Sequence, residues 1–354
     1  MTEITINEND AGGRLDKYLC RFLKEAPSSF IYKMLRKKNI TLNGKKAAGT
    51  EKLSAGDAIK LFLSDETVVK FGGRPSGNGG NTERQNISTE IPEEFLKASK
   101  LEWKFKEPQI IYENNDILVI NKPADVLSQP ADGIEPSLNE WILSYVIKNG
   151  FSKDDYLTVH PAAANRLDRN TSGVILAGKT LPGLRFLSAM IKERKLDKYY
   201  LTLVQGEVKE KALVTAYLLK SKTHNQVKIF DRETEGASLI KTEYTPVGCA
   251  NGHTLLLVKL ITGKSHQIRA HLAYIHHPVF GDPKYGIKSE TELAKRCGLR
   301  SQFLHSYMTV FPENTDERFA ELSRKKFIAP LPENLRHVLE RMGLLECLHG
   351  IHVD

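Results

Sequence analysis

Apolar positions near the start of the chain repeat with a helical period. Leu15, Leu19 and Leu23 stand at i, i+4 and i+8 within GGRLDKYLCRFL, the stripe of an amphipathic helix over 12–23. Pro27-Ser28-Ser29 reads as a stop followed by a helix cap. The segment FIYKMLRKKN over 30–39 then pairs Phe30 with Met34 and Ile31 with Leu35. Its Lys33, Arg36, Lys37 and Lys38 project elsewhere, so one helix carries an apolar face and a cationic face. Next comes ITLNGKK, where Asn43-Gly44 is a two-residue hairpin signal, and DAIKLFL over 57–63 closes the unit as a strand.

The pattern stops at residues 72–88, GGRPSGNGGNTERQNIS, which hold five glycines and a single large apolar side chain, Ile87. Such a stretch buries too little surface to offset its ordering entropy and reads as a flexible linker. It divides the chain into a small unit at 1–70, a linker at 71–95 and a body at 96–354. In the body, strand candidates are Ile117–Ile120, Tyr199–Val204 and Thr254–Ile261, several of them almost continuously apolar. Helix candidates lie at 182–194, 265–276 and 333–345, the last with Leu335, Val338, Leu339 and Met342 at helical spacing. Strands outnumber helices without a βαβ rhythm, which predicts a mixed α+β body rather than a doubly wound sheet.

Charge sharpens this picture. The 354 residues hold 51 Lys and Arg against 43 Asp and Glu, a net charge of +8. Residues 1–62 hold 12 basic and 7 acidic side chains, so most of the excess sits in the small unit. A polyanionic partner is expected, nucleic acid ahead of membrane. No window approaches the roughly 18 apolar residues of a spanning helix, and the opening MTEITINEND is polar and acidic. Cys20, Cys249, Cys297 and Cys347 lie far apart with no C-x-x-C pair, which fits a reducing cytoplasm rather than a disulfide framework or structural zinc.

Several motifs fail on inspection. Gly263-Lys264-Ser265 imitates the end of a phosphate-binding loop, but Val258 stands where that loop needs glycine. His266 and His271 are five apart, not the four that align two imidazoles on one helix face. No G-x-G-x-x-G follows a strand. What remains is Asn165-Arg166-Leu167-Asp168-Arg169-Asn170-Thr171-Ser172-Gly173, followed by the apolar run 174–177. A carboxylate between two arginines is not core composition. Guanidinium charge on either side favours its ionised, nucleophilic form, and Thr-Ser-Gly suggests a tight turn that presents backbone donors. Alone, the segment fits a structural Asp–Arg salt bridge as well as it fits catalysis.

Other segments stand in a fixed order around it: Asn121-Lys122-Pro123, Lys198-Tyr199-Tyr200, Gly263 through His271, Gly281-Asp282-Pro283-Lys284-Tyr285-Gly286 and Leu304-His305-Ser306. Together they resemble the RluA-type pseudouridine synthases over nearly the whole chain. The helices and hairpin of the small unit, through Gly13-Arg14-Leu15-Asp16, Ser29, Lys33-Arg36-Lys37 and Ile40–Gly44, resemble an S4-type RNA-binding domain. The pair points to the large-subunit ribosomal branch of that family. The resemblance implies an α+β fold: a mainly antiparallel mixed sheet in the catalytic domain and a small α+β S4-like domain.

It also implies roles. Asp168 matches the essential aspartate, Tyr200 the active-site tyrosine and Arg269 the basic residue paired with the aspartate. Arg166 matches the arginine that holds the target nucleotide out of its helix; Lys122, His266 and Gln267 are expected at the substrate, and Lys33, Arg36 and Lys37 on RNA phosphates. Departures from the family pattern are Asn165 for His, Asn170 for Asp, Lys264-Ser265 for Arg-Thr and Asp125 for Gly; they bear on substrate choice. The implied reaction breaks C1′–N1 and makes C1′–C5 with no metal and no cofactor, and Asp168 attacks either C1′ of the ribose or C6 of the base. A monomer acting on ribosomal RNA in the cytoplasm, away from membranes, is expected, with transfer RNA as the alternative substrate. Two other classes are a non-catalytic RNA-binding assembly protein and a metal-dependent hydrolase built on His266, His271 and Asp282.

Overall fold

The computed structural model describes residues 2–6, 10–73, 91–131, 136–220, 226–314 and 316–351. In the small unit, β1 (Thr2–Thr5), β2 (Ile40–Leu42), β3 (Lys45–Lys46) and β4 (Ala58–Leu61) form an antiparallel sheet in the order β1-β4-β2-β3. Helices Leu15–Phe22 and Ser28–Arg36 pack on it, burying Leu15, Leu19, Leu23, Ile31 and Leu35 against Ile40, Ile59 and Leu61. Asn43 and Gly44 both take positive φ, 50° and 72°, as a two-residue turn between twisted strands requires. The second helix starts differently from expectation. Pro27 precedes it, no serine side chain caps it, and proline's fixed φ of −58° sets the entry.

Most of the expected linker, residues 74–90, lies outside the described residues. Its expected far end is helical: Glu93–Ser99 follows Pro92, opens on two glutamates and buries Ala98 in the body's core. The body therefore begins slightly earlier than composition suggested.

The body is one mixed sheet. Its strands are β5 (Gln109–Glu113), β6 (Ile117–Lys122), β7 (Ala162–Ala163), β8 (Ser172–Gly178), β9 (Asp197–Gln205) and β10 (Ala212–Lys220). β11 (Val227–Phe230), β12 (Ser238–Ala250), β13 (His253–Leu260), β14 (Leu304–Val310) and β15 (Lys326–Ile328) complete it. The order is β11-β10-β12-β13-β9-β14-β8-β6-β5, with β7 on β8 and β15 on β14. Every described pairing is antiparallel except β8 with β14.

Both faces of the central strands are covered, which is why these strands read as continuous apolar runs rather than alternating ones. Ile175 and Ala177 of β8, Tyr200 and Val204 of β9, and Leu256 and Val258 of β13 face one core, shared with helix Leu138–Lys148. Val174 and Leu176 face the opposite core with helix Leu181–Lys192, and Leu201, Leu203, Leu255 and Leu257 face a third with helix Glu333–Met342. Helix Gln267–Tyr274 sends Ile268 and Leu272 into the first core, so it lies on the same face as Tyr200.

Candidate active site

Asp168 sits on the loop that feeds β8, and that loop is fastened on both sides of it. Upstream, Ser128 Oγ donates to Leu167 O at 2.9 Å and accepts from Leu167 N at 3.0 Å. Downstream, Lys122 Nζ donates to Arg169 O at 3.0 Å and to Pro123 O and Val126 O at 2.8 Å each. Lys122 is fully buried, and burial pulls its pKa down to about 7. Three carbonyls take all three ammonium protons, whereas a neutral amine would leave one carbonyl bare. Lys122 is therefore a clamp on the loop rather than a group reaching substrate, which corrects the sequence expectation. Ser128 is a position the sequence reading missed, since a lone serine after an apolar run carries no signal.

The Thr-Ser-Gly segment also differs from expectation. The turn spans Asp168 to Thr171, closed by Thr171 N to Asp168 O at 3.0 Å, while Ser172 and Gly173 already belong to β8 and are buried. Ser172 Oγ bonds His305 Nδ1 at 2.8 Å, and His305 Nε2 faces Ala329 O at 3.1 Å. A carbonyl only accepts, so Nε2 carries the proton and Nδ1 accepts from the serine. Burial pushes His305 down to about 4, consistent with that neutral ring. Gly173 lies opposite Ser306 with φ +113°, and a Cβ there would stand 2.1 Å from Ser306 O. No other residue type fits.

The charge partner of Asp168 is not a sequence neighbour. Arg169 turns away, donating from Nε to Asp125 Oδ1 at 2.8 Å, and Arg166 stands exposed at the rim. Asp125, where the family pattern has glycine, indeed takes the left-handed φ of 66°. It is Arg269, from helix Gln267–Tyr274, whose NH1 reaches Asp168 Oδ2 at 2.9 Å. The same guanidinium grips Asp282 with two prongs, Nε to Oδ2 at 2.6 Å and NH2 to Oδ1 at 2.8 Å. Asp282 also accepts the backbone N–H of Lys284 and Tyr285. Side-chain exposure falls from 27% at Asp168 to 5% at Arg269 and 0% at Asp282, so the pair is anchored inside and open only at the aspartate. Burial acts against the ionised form of Asp282, but the Arg269 guanidinium and the two amides outweigh it and hold the carboxyl below its usual range. The sequence offered Asp282 as part of the Gly-Asp-Pro segment and as a candidate metal ligand, not as the residue that aims Arg269.

Tyr200 faces the same cavity from β9 and is itself buried; burial first, with the Asp168 charge adding to it, pushes its phenol up to about 12. It is a neutral hydroxyl near pH 7. Asp168, Arg166, Tyr200, Lys198, His266 and Arg269 line a cavity of about 300 Å³, within the range that holds small ligands. A second hollow of about 250 Å³ also borders Asp168, lined in addition by Arg169, Lys220 and Lys284. His266, expected at the substrate, lines both.

Gln267 touches the first cavity, but its amide is committed elsewhere. Oε1 accepts from Thr262 Oγ1 and Lys264 N, and Nε2 donates to Lys241 O and Thr242 Oγ1, so it braces the turn before its helix. Lys33, Arg36 and Lys37 are exposed on the outer side of the second helix, outside the cavity. The hydrolase alternative loses its carboxylate: both oxygens of Asp282 are taken by Arg269. Among the described residues no group of three or more His, Cys, Asp or Glu is placed to hold a metal ion.

Residues 116–274 match the family model described as RNA pseudouridylate synthase. A protein of Pasteurella multocida (strain Pm70) named ribosomal large subunit pseudouridine synthase C is 31% identical over 87% of this chain and 85% of its own length. Proteins of the same name from Vibrio parahaemolyticus and Escherichia coli (strain K12) are 30% and 29% identical, each covering at least 95% of both chains. The solved human RNA pseudouridylate synthase domain containing 4 has the same fold, with a TM-score of 0.54 and 19% identity over 66% of this chain and 92% of that one.

Proposed function

Because the chain belongs to the RNA pseudouridylate synthase family, an isomerase family acting on RNA, we propose that it converts uridine to pseudouridine in large-subunit ribosomal RNA with Asp168 as nucleophile. The observation that carries the nucleophile is the Arg269–Asp168 pair at the mouth of the cavity, facing Tyr200. Arg269 binds only Oδ2, and among the described residues Oδ1 has no hydrogen-bond partner. Oδ1 is thus the oxygen available to bond C1′ as the C1′–N1 pair returns to uracil, or to add at C6. Either route ends with C1′ on C5, the C5 hydrogen lost as a proton and N1 protonated, so nothing is oxidised and no cofactor is needed. Tyr200, protonated near neutrality, offers its ring for stacking and its hydroxyl for moving that proton.

The target uridine must leave its stack, at a cost of a few kcal/mol. In this reading Arg166, exposed and lining the cavity, props the gap it leaves. The small unit is read as an S4-type domain whose Lys33, Arg36 and Lys37 meet backbone phosphates, which supply affinity rather than sequence choice. We read the enzyme as a cytoplasmic monomer; among the described residues no helix is long and apolar enough to cross a membrane.

The test is Asp168→Asn, which keeps volume and removes the nucleophilic charge. The variant should fold and bind RNA but form no pseudouridine in large-subunit ribosomal RNA. Mapping pseudouridine in ribosomal and transfer RNA from cells lacking the protein identifies the substrate. Product formation by a folded Asp168→Asn protein would overturn the mechanism, and missing marks in transfer RNA alone would overturn the substrate.

A further inference from the structure

We propose that Tyr285 holds His266 as its Nε2–H tautomer, and that His266 thereby steers the Asp168 carboxylate so that Oδ1 stays the attacking oxygen. The inference rests on the reading of Asp168 as nucleophile. It starts from a chain of contacts that the reaction described above does not use. Tyr285 Oη accepts the backbone N–H of Val227 at 3.0 Å and lies 2.9 Å from His266 Nδ1. Among the described residues the phenol proton has no other acceptor, so it goes to Nδ1. A ring nitrogen that accepts carries no proton, and a neutral imidazole then carries its proton on Nε2.

That Nε2 lies 3.9 Å from Asp168 Oδ2, the same oxygen that Arg269 NH1 reaches at 2.9 Å. Both donors therefore approach one oxygen and leave the other free. The His266 contact is longer than a hydrogen bond here, as such contacts often are before substrate binds. The backbone shows that the ring is placed under constraint: His266 takes φ 54°, ψ 14°, the left-handed region, immediately before its helix. Its ring meets Tyr285 edge-on at 5.8 Å, and the Arg269 guanidinium lies 5.4 Å from the centre of the Tyr285 ring. Tyr285 thus touches both groups that address Oδ2.

The charged and titratable groups facing His266 are Asp168, Arg269, Lys284, Asp282 and Tyr285. Burial is the largest influence and keeps the imidazole neutral at pH 7; the Asp168 charge opposes it. Protonation would turn His266 into a second cation against Oδ2 and blunt the nucleophile. Tyr285 and His266 are positioning residues: they act through Asp168.

The experiment compares Tyr285→Phe, His266→Ala and His266→Gln with the native enzyme by single-turnover kinetics from pH 5 to 8, with Asp168→Asn alongside. Tyr285→Phe keeps the ring and removes the hydroxyl. We expect roughly a tenfold fall in the single-turnover rate at saturating enzyme, the scale of one hydrogen bond, with the half-saturating enzyme concentration little changed. The acidic limb should move to higher pH, because Nδ1 loses the donor that favours its neutral form. His266→Ala should lose more, and His266→Gln, whose amide N–H reaches towards the Nε2 position, should recover part. An active Asp168→Asn removes the nucleophile reading. An inactive Asp168→Asn together with native rate and pH limb in Tyr285→Phe, and equal rates in the two His266 variants, removes this inference alone.

Discussion

Replacing Arg269 separates what its charge does from what its shape does. The guanidinium makes three charge-assisted hydrogen bonds, two to Asp282 at 2.6 and 2.8 Å and one to Asp168 at 2.9 Å. Each such bond contributes about 1.5–3 kcal/mol. Lysine restores the charge but has one nitrogen, which cannot reach both carboxylates in this geometry. In Arg269→Lys the fully buried Asp282 holds that nitrogen, and Asp168 loses its contact. If that contact acts in the transition state, the rate falls roughly 10- to 150-fold. Arg269→Ala also strips Asp282 of its counter-charge, and breaking a buried pair in this way costs about 3–5 kcal/mol of stability. The order of activity is therefore native, lysine, alanine, and only the alanine variant should be severely destabilised. Single-turnover release of the C5 hydrogen from tritiated uridine RNA reads the first effect; denaturant unfolding reads the second. An alanine variant with near-native rate and stability would show that the pair neither activates Asp168 nor holds the cleft.

Gly173→Ala should destabilise the body by at least about 2 kcal/mol, because a Cβ at φ +113° meets Ser306 O at 2.1 Å; an unchanged melting temperature would contradict that packing. Changing Lys33, Arg36 and Lys37 to glutamine should flatten the plot of log affinity against log salt by about 2–3, without altering the rate at saturating RNA, and an unchanged slope would remove the phosphate-binding face. His305 is buried neutral at about 4, while an unfolded histidine titrates near 6.5. The unfolded chain therefore binds more protons between those values, and stability falls as pH drops from about 6.5 to 4, by about 3 kcal/mol from this group. Unfolding free energies at pH 7, 5.5 and 4 should show that loss in the native protein and a smaller one in His305→Gln.

Where the chain organises itself locally, the sequence was informative. The Leu15–Leu19–Leu23 stripe, the apolar face of the second helix and the Asn43-Gly44 turn all depend on neighbours a few residues away, and all lie where the spacing placed them. Strands β6, β9 and β13 announced themselves because both their faces are buried. β12 did not: thirteen residues long, it carries Pro246 and Gly248 at a bulge and no continuous apolar run. The site shows the same division. Asp168 stood out from its composition, yet its immediate arginines are not its partners; the ion pair comes from a residue 101 positions away, reached only through the family resemblance. Ser128 and Asp282 work through backbone contacts and a buried counter-ion, neither of which leaves a pattern in a linear sequence.

The strand carrying Tyr200 and the strand that follows Asp168 never touch. β14 runs between them, with Ser306 opposite both Tyr200 and Gly173. That strand is made from residues 304–310, more than a hundred positions after Tyr200 leaves the ribosome. During synthesis the two halves of the cleft are thus present as separate pieces with no spacer to set their distance. Such distant pairing is slow to form, since the long loop must close before any contact rewards it. The small unit, built from contacts within its own first seventy-odd residues, is under no such delay. A nascent or truncated chain can therefore have its small unit folded well before the cleft around Asp168 exists.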